Sequence, residues 1–281
     1  MLALTKIKKD MEFNKNFKIV LEVLKSIAAS QFYMLEKKLK EVGKFDEVLA
    51  LFFGVMGQFQ MKHPFWETNN RPKIAVAITS DQGLLGGLNM RVVKTAAGLM
   101  ASEQDTLVII GEQGKKNFGQ FGNAPFLFFP GVQDEKRHGQ AMVLAKFLFM
   151  QVMEKQFGTI QVVYPKALSL VNQRVEVATL LPVQKGEGKP SDLRKNRFIL
   201  ESAPSRLLEY LAYLSFGQKL HLIFGMSRLA ETGARYIHLE ESGQKIEEIN
   251  KKLKLRYFRL RHEVIDQSMR ELFAARSTHG A

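Results

Sequence analysis

Apolar residues recur along this chain with two different periods, and the change of period divides it into three parts. Near the start, Phe17, Leu21, Leu24, Ile27, Ala28, Leu35, Leu39 and Val42 follow steps of three, four and seven. Near the end, Ile246, Ile249, Leu253, Tyr257, Leu260 and Val264 step by three or four. Both read as coiled-coil seams on helices. The outer faces are charged, with Lys37, Lys38 and Lys40 on the first and Lys251, Lys252, Lys254, Arg256 and Arg259 on the second. Proline agrees with this division: all eight prolines lie between Pro64 and Pro204. Proline is excluded from helix interiors, so the spacing predicts long helices over about residues 5–58 and 205–276. At about 1.5 Å per residue, 50 helical residues span roughly 75 Å, too long to lie inside a domain of this size. The two ends are therefore expected to pair as an antiparallel coiled coil projecting from a central body. Gly43, Gly54 and Gly57 weaken the first helix toward its end, and Gly233 and Gly243 weaken the last, which is expected to run on through both.

The middle changes to short apolar runs. Residues 73–79, 106–110, 126–129, 160–164 and 174–181 read as strands, and 89–100, 113–121 and 135–157 as helices. The alternation predicts a mostly parallel sheet, with 161–168 and 173–180 as an antiparallel addition at its edge. Residues 184–196 are polar and rich in Lys, Gly and Pro, which predicts a loop. The fold class is thus α/β: a central, mostly parallel-sheet Rossmann-like domain at 70–200, flanked by terminal helical segments at 1–62 and 205–281 that form an antiparallel coiled coil.

The turn after the first strand is the candidate for chemistry. Thr79-Ser80-Asp81-Gln82-Gly83-Leu84-Leu85-Gly86-Gly87-Leu88-Asn89 joins a strand to a helix through three glycines, the layout of a phosphate site. Yet the nearest lysine downstream is Lys94, where a P-loop needs one directly after its last glycine, and the spacing is G-x-x-G-G rather than G-x-G-x-x-G. The segment therefore reads as a structural turn with no bound phosphate, and no cofactor is expected. The six histidines, His63, His138, His221, His238, His262 and His279, fall in no metal-spaced pair or triad-like setting.

Charge and cysteine content narrow the function classes. The chain has no cysteine, which excludes thiol catalysis, disulfides and thiolate metal sites. With no apolar leader before Lys8 and Lys9, this points to a reducing compartment. No run of 18 apolar residues exists, so no spanning segment is expected. The net charge of +13 over 281 residues points to an acidic or polyanionic partner. No nucleic-acid-binding motif stands out. Two other function classes stay open on residues alone: a Rossmann-like nucleotide-binding enzyme, and a basic nucleic-acid-binding coiled-coil protein.

The strand-to-helix turn resembles the T-S-D-x-G-L-x-G-x-L-N stretch of the gamma subunit of F-type ATP synthases, with every fixed position matched. Ile27-Ala28-Ala29-Ser30 resembles that family's M-V-A-A-S, and Glu231-x-x-Ala234-Arg235 its E-x-x-A-R. Leu253-x-Leu255-x-Tyr257-x-Arg259-x-Arg261 is similar to L-x-L-x-Y-N-R-x-R, with Ile265 and Glu271 in step after it. Gly111-Glu112-Gln113-Gly114-Lys115 looks like G-x-K-G-R, and Leu180-Leu181-Pro182 like L-L-P. The departures are Gln82, Glu22, Gln31, Phe258, His262 and the stretch Ile265-Asp266-Gln267-Ser268.

The resemblance implies a non-catalytic central-stalk rotor, which couples ion flow through the membrane ring to ATP synthesis or hydrolysis in the alpha/beta head. It implies contacts of Arg259, Arg261, His262 and Asp266 with the beta subunit, and ring-facing roles for Phe198 and Glu201. The implied partners are the alpha, beta and epsilon subunits and the membrane c-ring, with no nucleic acid. The implied location is peripheral, on the cytoplasmic side of the inner (plasma) membrane. His262 stands where the family has Gln, so coupling is expected to depend on pH, because an imidazole changes charge near neutrality.

Overall fold

The sheet is built from the five apolar runs. In the computed structural model, which describes residues 2–40, 44–57, 59, 62–66, 71–119, 126–154, 156–183 and 202–278, β1 (Lys73–Ile78), β2 (Thr106–Ile110), β3 (Phe126–Phe129), β4 (Thr159–Ser169) and β5 (Asn172–Leu181) form one sheet in the order β3-β2-β1-β4-β5. β1 pairs parallel with β2 and with β4, and β2 pairs parallel with β3. β5 adds antiparallel to β4 at the edge, as the sequence predicts. Val76, the centre of β1, lies opposite Val108 on one side and Val162 on the other. β1 is buried from Ile74 to Ile78, which is why Lys73-Ile74-Ala75-Val76-Ala77-Ile78 is apolar without alternation.

Helices cover both faces. On one face, Ala75, Ala77, Leu107 and Ile109 pack with α3 (Leu88–Gly98) and with Phe118 of α4 (Glu112–Phe118). On the other, Ile74, Val76, Ile78, Val108 and Ile110 pack with α5 (Arg137–Met153) and with Leu208, Ala212, Phe216 and Phe224 of the C-terminal helix. That helix, α6 (Pro204–Thr278), runs unbroken for 75 residues through Gly217, Gly225, Gly233 and Gly243. At Gly233 the reason for glycine is visible: a Cβ there would strike the Gln173 amide and the Leu170 carbonyl of the β4–β5 hairpin.

The N-terminal segment departs from expectation. It forms two helices, α1 (Leu2–Lys40) and α2 (Lys44–Met56), rather than one over 5–58. Gly43 lies between them, outside the described residues. α2 does not continue the rod: Leu49, Phe53, Val55 and Met56 are buried in the same core as α5 and α6. The loop expected at 184–196 also lies outside the described residues.

Packing divides the chain into two units, Met1–Ala28 with Tyr236–Ala281, and Ala29–Arg235. The expected boundaries at 62, 70, 200 and 205 follow secondary structure. The units follow contacts, so 29–56 and 204–235 belong with the sheet. Among the described residues, no helix is long and apolar enough to cross a membrane.

Candidate coupling site

The turn after β1 is held by hydrogen bonds to its own polar side chains. The Thr79 hydroxyl donates to the Ile110 carbonyl at 2.5 Å, closing the end of β1 on β2. Asn89, at the start of α3, reaches back: its Oδ1 accepts from the Ser80 N–H at 3.2 Å and its Nδ2 donates to the Ser80 hydroxyl at 2.9 Å. Gly86 and Leu84 both take positive φ, +56° and +62°, which lets the chain reverse before α3. The Asp81 carboxylate then ties three strand ends together. One of its oxygens accepts from the Glu112 N–H at 3.0 Å, after β2, and from the Gly131 N–H at 3.2 Å, after β3. Those amides stand where an open α/β sheet would present donors to a phosphate. Here a carboxylate of the chain takes them. Gly111 completes the junction with φ +97°, and a Cβ on it would sit on the Thr79 carbonyl.

The Glu231, Ala234 and Arg235 motif meets this turn. Ala234 is buried with Leu85 and Leu88, and the Arg235 guanidinium donates to the Gln82 side-chain carbonyl at 3.3 Å. Glu231 is buried and accepts from Arg228 at 3.0 Å, and Arg228 also pairs with Asp134 at 3.3 Å. Burial pushes the Glu231 carboxyl above its ordinary range, with the Arg228 guanidinium pulling the other way. The Arg228–Asp134 link carried no spacing signal in the sequence.

The helical unit shows what the coiled-coil seam is made of. Asn14 Nδ2 donates to Asn250 at 3.2 Å, Lys18 pairs with Glu247, and Lys25 pairs with Glu240 at 2.7 Å. The partner number falls as the α1 number rises, so the helices are antiparallel. Between these polar contacts, Leu21 is buried with Leu239 and Ile246. The α1 seam is therefore Ile7, Met11, Asn14, Lys18, Leu21, Lys25 and Ala28, a 4-3 spacing with polar members, not the all-apolar set expected. Phe17, Leu24 and Ile27, expected in the seam, are exposed. With Phe13 and Val20 they form a second stripe at the same spacing, also exposed. On α6, Ile249 is exposed, and Asn250 takes the seam position. Hydrogen bonds to Glu22 and Glu240 raise the Lys25 pKa. The Lys25 and Lys18 ammonium groups in turn lower Glu240 and Glu247.

Of the expected contact residues, Arg259, Arg261, His262 and Asp266 are all exposed on α6. With Asn14 opposite Asn250, Leu2 of α1 comes level with about residue 262, and among the described residues no part of α1 lies beside α6 beyond that level. Ile265, Met269, Leu272 and Phe273 are exposed on that stretch. Phe198 and Glu201 lie outside the described residues.

A polar-seamed helical pair with a free apolar stripe, in one chain with an α/β unit whose strand-end turn is closed by its own carboxylate, is a coiled-coil protein made for partners. The sequence profile of the ATP synthase family matches residues 3–277, and the chain belongs to that family. It is 26% identical over 285 residues to the ATP synthase gamma chain of Mycoplasmopsis pulmonis, covering 98% of this chain and 99% of that one. It is 24% identical to the ATP synthase gamma chain of Clostridium beijerinckii over 96% of each. Among solved structures, its fold is similar to a chain of the Euglena gracilis mitochondrial ATP synthase OSCP/F1/c-ring assembly, with a TM-score of 0.70 at 13% identity, covering 98% of this chain and 94% of that one. A chain of the Tetrahymena thermophila mitochondrial central stalk and c-ring matches at TM-score 0.61 and 16% identity, over 79% of this chain and 99% of that one.

Proposed function

We infer that the chain is the gamma subunit of an F-type ATP synthase, the rotor of its central stalk. The family match over nearly the whole chain carries the reading. The helical pair serves as the shaft within the alpha/beta head, and rotation presents a different face to each catalytic site. Sites facing different contacts differ in nucleotide affinity, which is what coupling requires. The α/β unit serves as the foot, with the epsilon subunit, on the membrane ring. The chain is peripheral to the membrane, on its cytoplasmic side, through these partners.

The subunit does no chemistry itself. The Asp81 carboxylate holds the amides a phosphate would need, and a second anion there would be repelled. The shaft reading accounts for the second α1 stripe: Phe13, Phe17, Val20, Leu24 and Ile27 face a sleeve rather than the other helix. At the tip, Arg259 and Arg261 meet beta-subunit carboxylates, with His262 and Asp266 beside them, and Phe198 and Glu201 meet the ring side.

The test is assembly. Purified alpha and beta subunits are mixed with this chain, and the product is joined to the membrane ring in vesicles. The expected result is a complex that pumps ions on ATP hydrolysis and loses pumping when the chain is left out. A chain that co-elutes with neither subunit, yet binds ATP or NAD in equilibrium dialysis, would point to the nucleotide-binding enzyme instead.

A further inference from the structure

The rotor reading leaves one surface of the α/β unit without a role. β3 is the last strand of the sheet on its side. It reads Phe126-Leu127-Phe128-Phe129, with no charge or bulge in it, and its guards are its short length and Pro130 directly after it, which leave Phe128 as the open position beside Phe126. The direction of its free groups follows from the ladder. The Phe129 carbonyl accepts from the Gly111 N–H at 3.0 Å, so Phe129 and Leu127 turn their main-chain groups to β2. In a parallel ladder alternate residues face opposite ways, so the N–H and C=O of Phe128 point outward. No strand among the described residues pairs with that side.

An apolar cavity of about 520 Å³ opens at the end of the same strand, between β3, α5 and α6. Ile110, Leu144 and Phe224 form its buried floor, and Val143, 62% exposed, stands at its mouth. Met150 of α5 and Leu127 of β3 are exposed apolar residues on the same two elements. Around it the charge is mainly positive. Lys115 lies 4.9 Å over the Phe128 ring, Lys136 lines the mouth beside Glu135, and Lys146 shares the exposed face of α5 with Val143 and Met150.

We propose that the outer edge of β3 and this cavity together bind an extended, acidic-flanked segment of a partner polypeptide. The segment adds a strand to the sheet and seats one large apolar side chain in the cavity. Main-chain bonds to Phe128 supply the pairing, the cavity supplies selectivity for alternate side chains, and the lysines select the flanking charge. The proposal rests on the assembly reading above, with the partner a subunit of the same complex.

The test compares hydrogen exchange at the Phe128 amide in the isolated full chain and in the complex reconstituted with alpha, beta and epsilon subunits. The expected result is at least tenfold slower exchange in the complex. Phe128→Pro removes an outward N–H and leaves the β2 pairing intact, while Val143→Asp charges the cavity mouth at an exposed position. Each is expected to weaken assembly at least tenfold while the isolated variant melts with wild-type cooperativity. Unchanged exchange in an assembled complex overturns the proposal and leaves the rotor reading standing. Weakening by Val143→Asp but not by Phe128→Pro overturns strand addition. Slowed exchange in the isolated chain, rising with concentration as a dimer forms, assigns the edge to a second copy and also overturns it. Failure to assemble at all removes the rotor reading and this one with it.

Discussion

Single residues at the strand ends carry more of the structure than their exposure suggests. Gly111 is the sharpest case, because two costs fall on one substitution. Its φ of +97° is strained for any L side chain, and a Cβ would overlap the Thr79 carbonyl. Gly111→Ala is therefore expected to lower unfolding free energy by more than about 2 kcal/mol in urea titration. Glu231 gives a pH signature. Burial raises its carboxyl, so between the ordinary carboxylate range and the raised value the folded chain holds a proton that the unfolded chain has lost. Stability from this group is therefore greatest below that window and falls as pH rises through it. Glu231→Gln removes the titration. Its stability relative to wild type should rise with pH across the window, measured by urea midpoints in steps from pH 4 to pH 8. A flat difference would mean that the Arg228 pairing offsets burial, and a falling one would place the pairing above it. The E-x-x-A-R spacing of Glu231, Ala234 and Arg235 was legible in the sequence. Its partners were not, since Asp134 and Gln82 lie far away in the chain and only the fold brings them in.

Elements were legible to the degree that burial follows period. β2 and β3 have the bounds the apolar runs predict: β2 because a strand buried on both faces leaves an unbroken apolar signature, β3 as an apolar run although Leu127 and Phe128 are exposed at the sheet edge. The seam of α1 was read only in part, at Leu21 and Ala28, for the opposite reason. Its contacts with α6 include Asn14, Lys18 and Lys25, while the apolar residues beside them point outward. An apolar periodicity marks a face that is covered by something, and in a chain made for partners that face need not be the intramolecular one. The polar seam has its own logic. An asparagine pair across a seam costs stability and fixes register, because sliding by one turn leaves both amides unpaired. The double substitution Asn14→Leu with Asn250→Leu should raise stability by about 1–2 kcal/mol while loosening register. The chain has no cysteine, so a Lys18→Cys, Glu247→Cys pair reports register cleanly by disulfide trapping. With Asn14 and Asn250 in place, only that pairing should cross-link. With both leucines, cysteines placed one turn away should cross-link as well. Acid should loosen the same unit. Glu240 and Glu247 are lowered by their lysines, so their contribution is complete above the ordinary carboxylate range and is lost as pH falls through the lowered values.

At the scale of the molecule, the exposed surface of the helical unit is matched to a partner rather than to water. From about residue 262 no described residue of α1 lies beside α6, which carries exposed Ile265, Met269, Leu272 and Phe273 together with Arg259, Arg261 and Arg270. A lone helix with both apolar and cationic surface gains most inside a sleeve that is partly apolar and partly acidic. Exposed ion pairs are each worth less than about 1 kcal/mol, and several weak ones hold a shaft without trapping it at one angle. Arg259 and Arg261 are two residues apart and so point to different sides of the helix. Within the proposed sleeve each would therefore meet a different part of the wall at any one angle. Arg259→Ala or Arg261→Ala alone should change ATP turnover of the reconstituted head little, because the remaining arginine still supplies a contact in every rotational position. The double substitution removes both and should impair turnover by more than the product of the single effects, as expected for residues that substitute for one another in a shared task. Steady-state ATPase rates of the four heads, corrected for assembly by gel filtration, decide the matter. Rates that multiply independently, or a double variant as active as wild type, would mean that the tip is held by its apolar residues, and Leu272→Asp with Phe273→Asp would then be the substitution that uncouples the head.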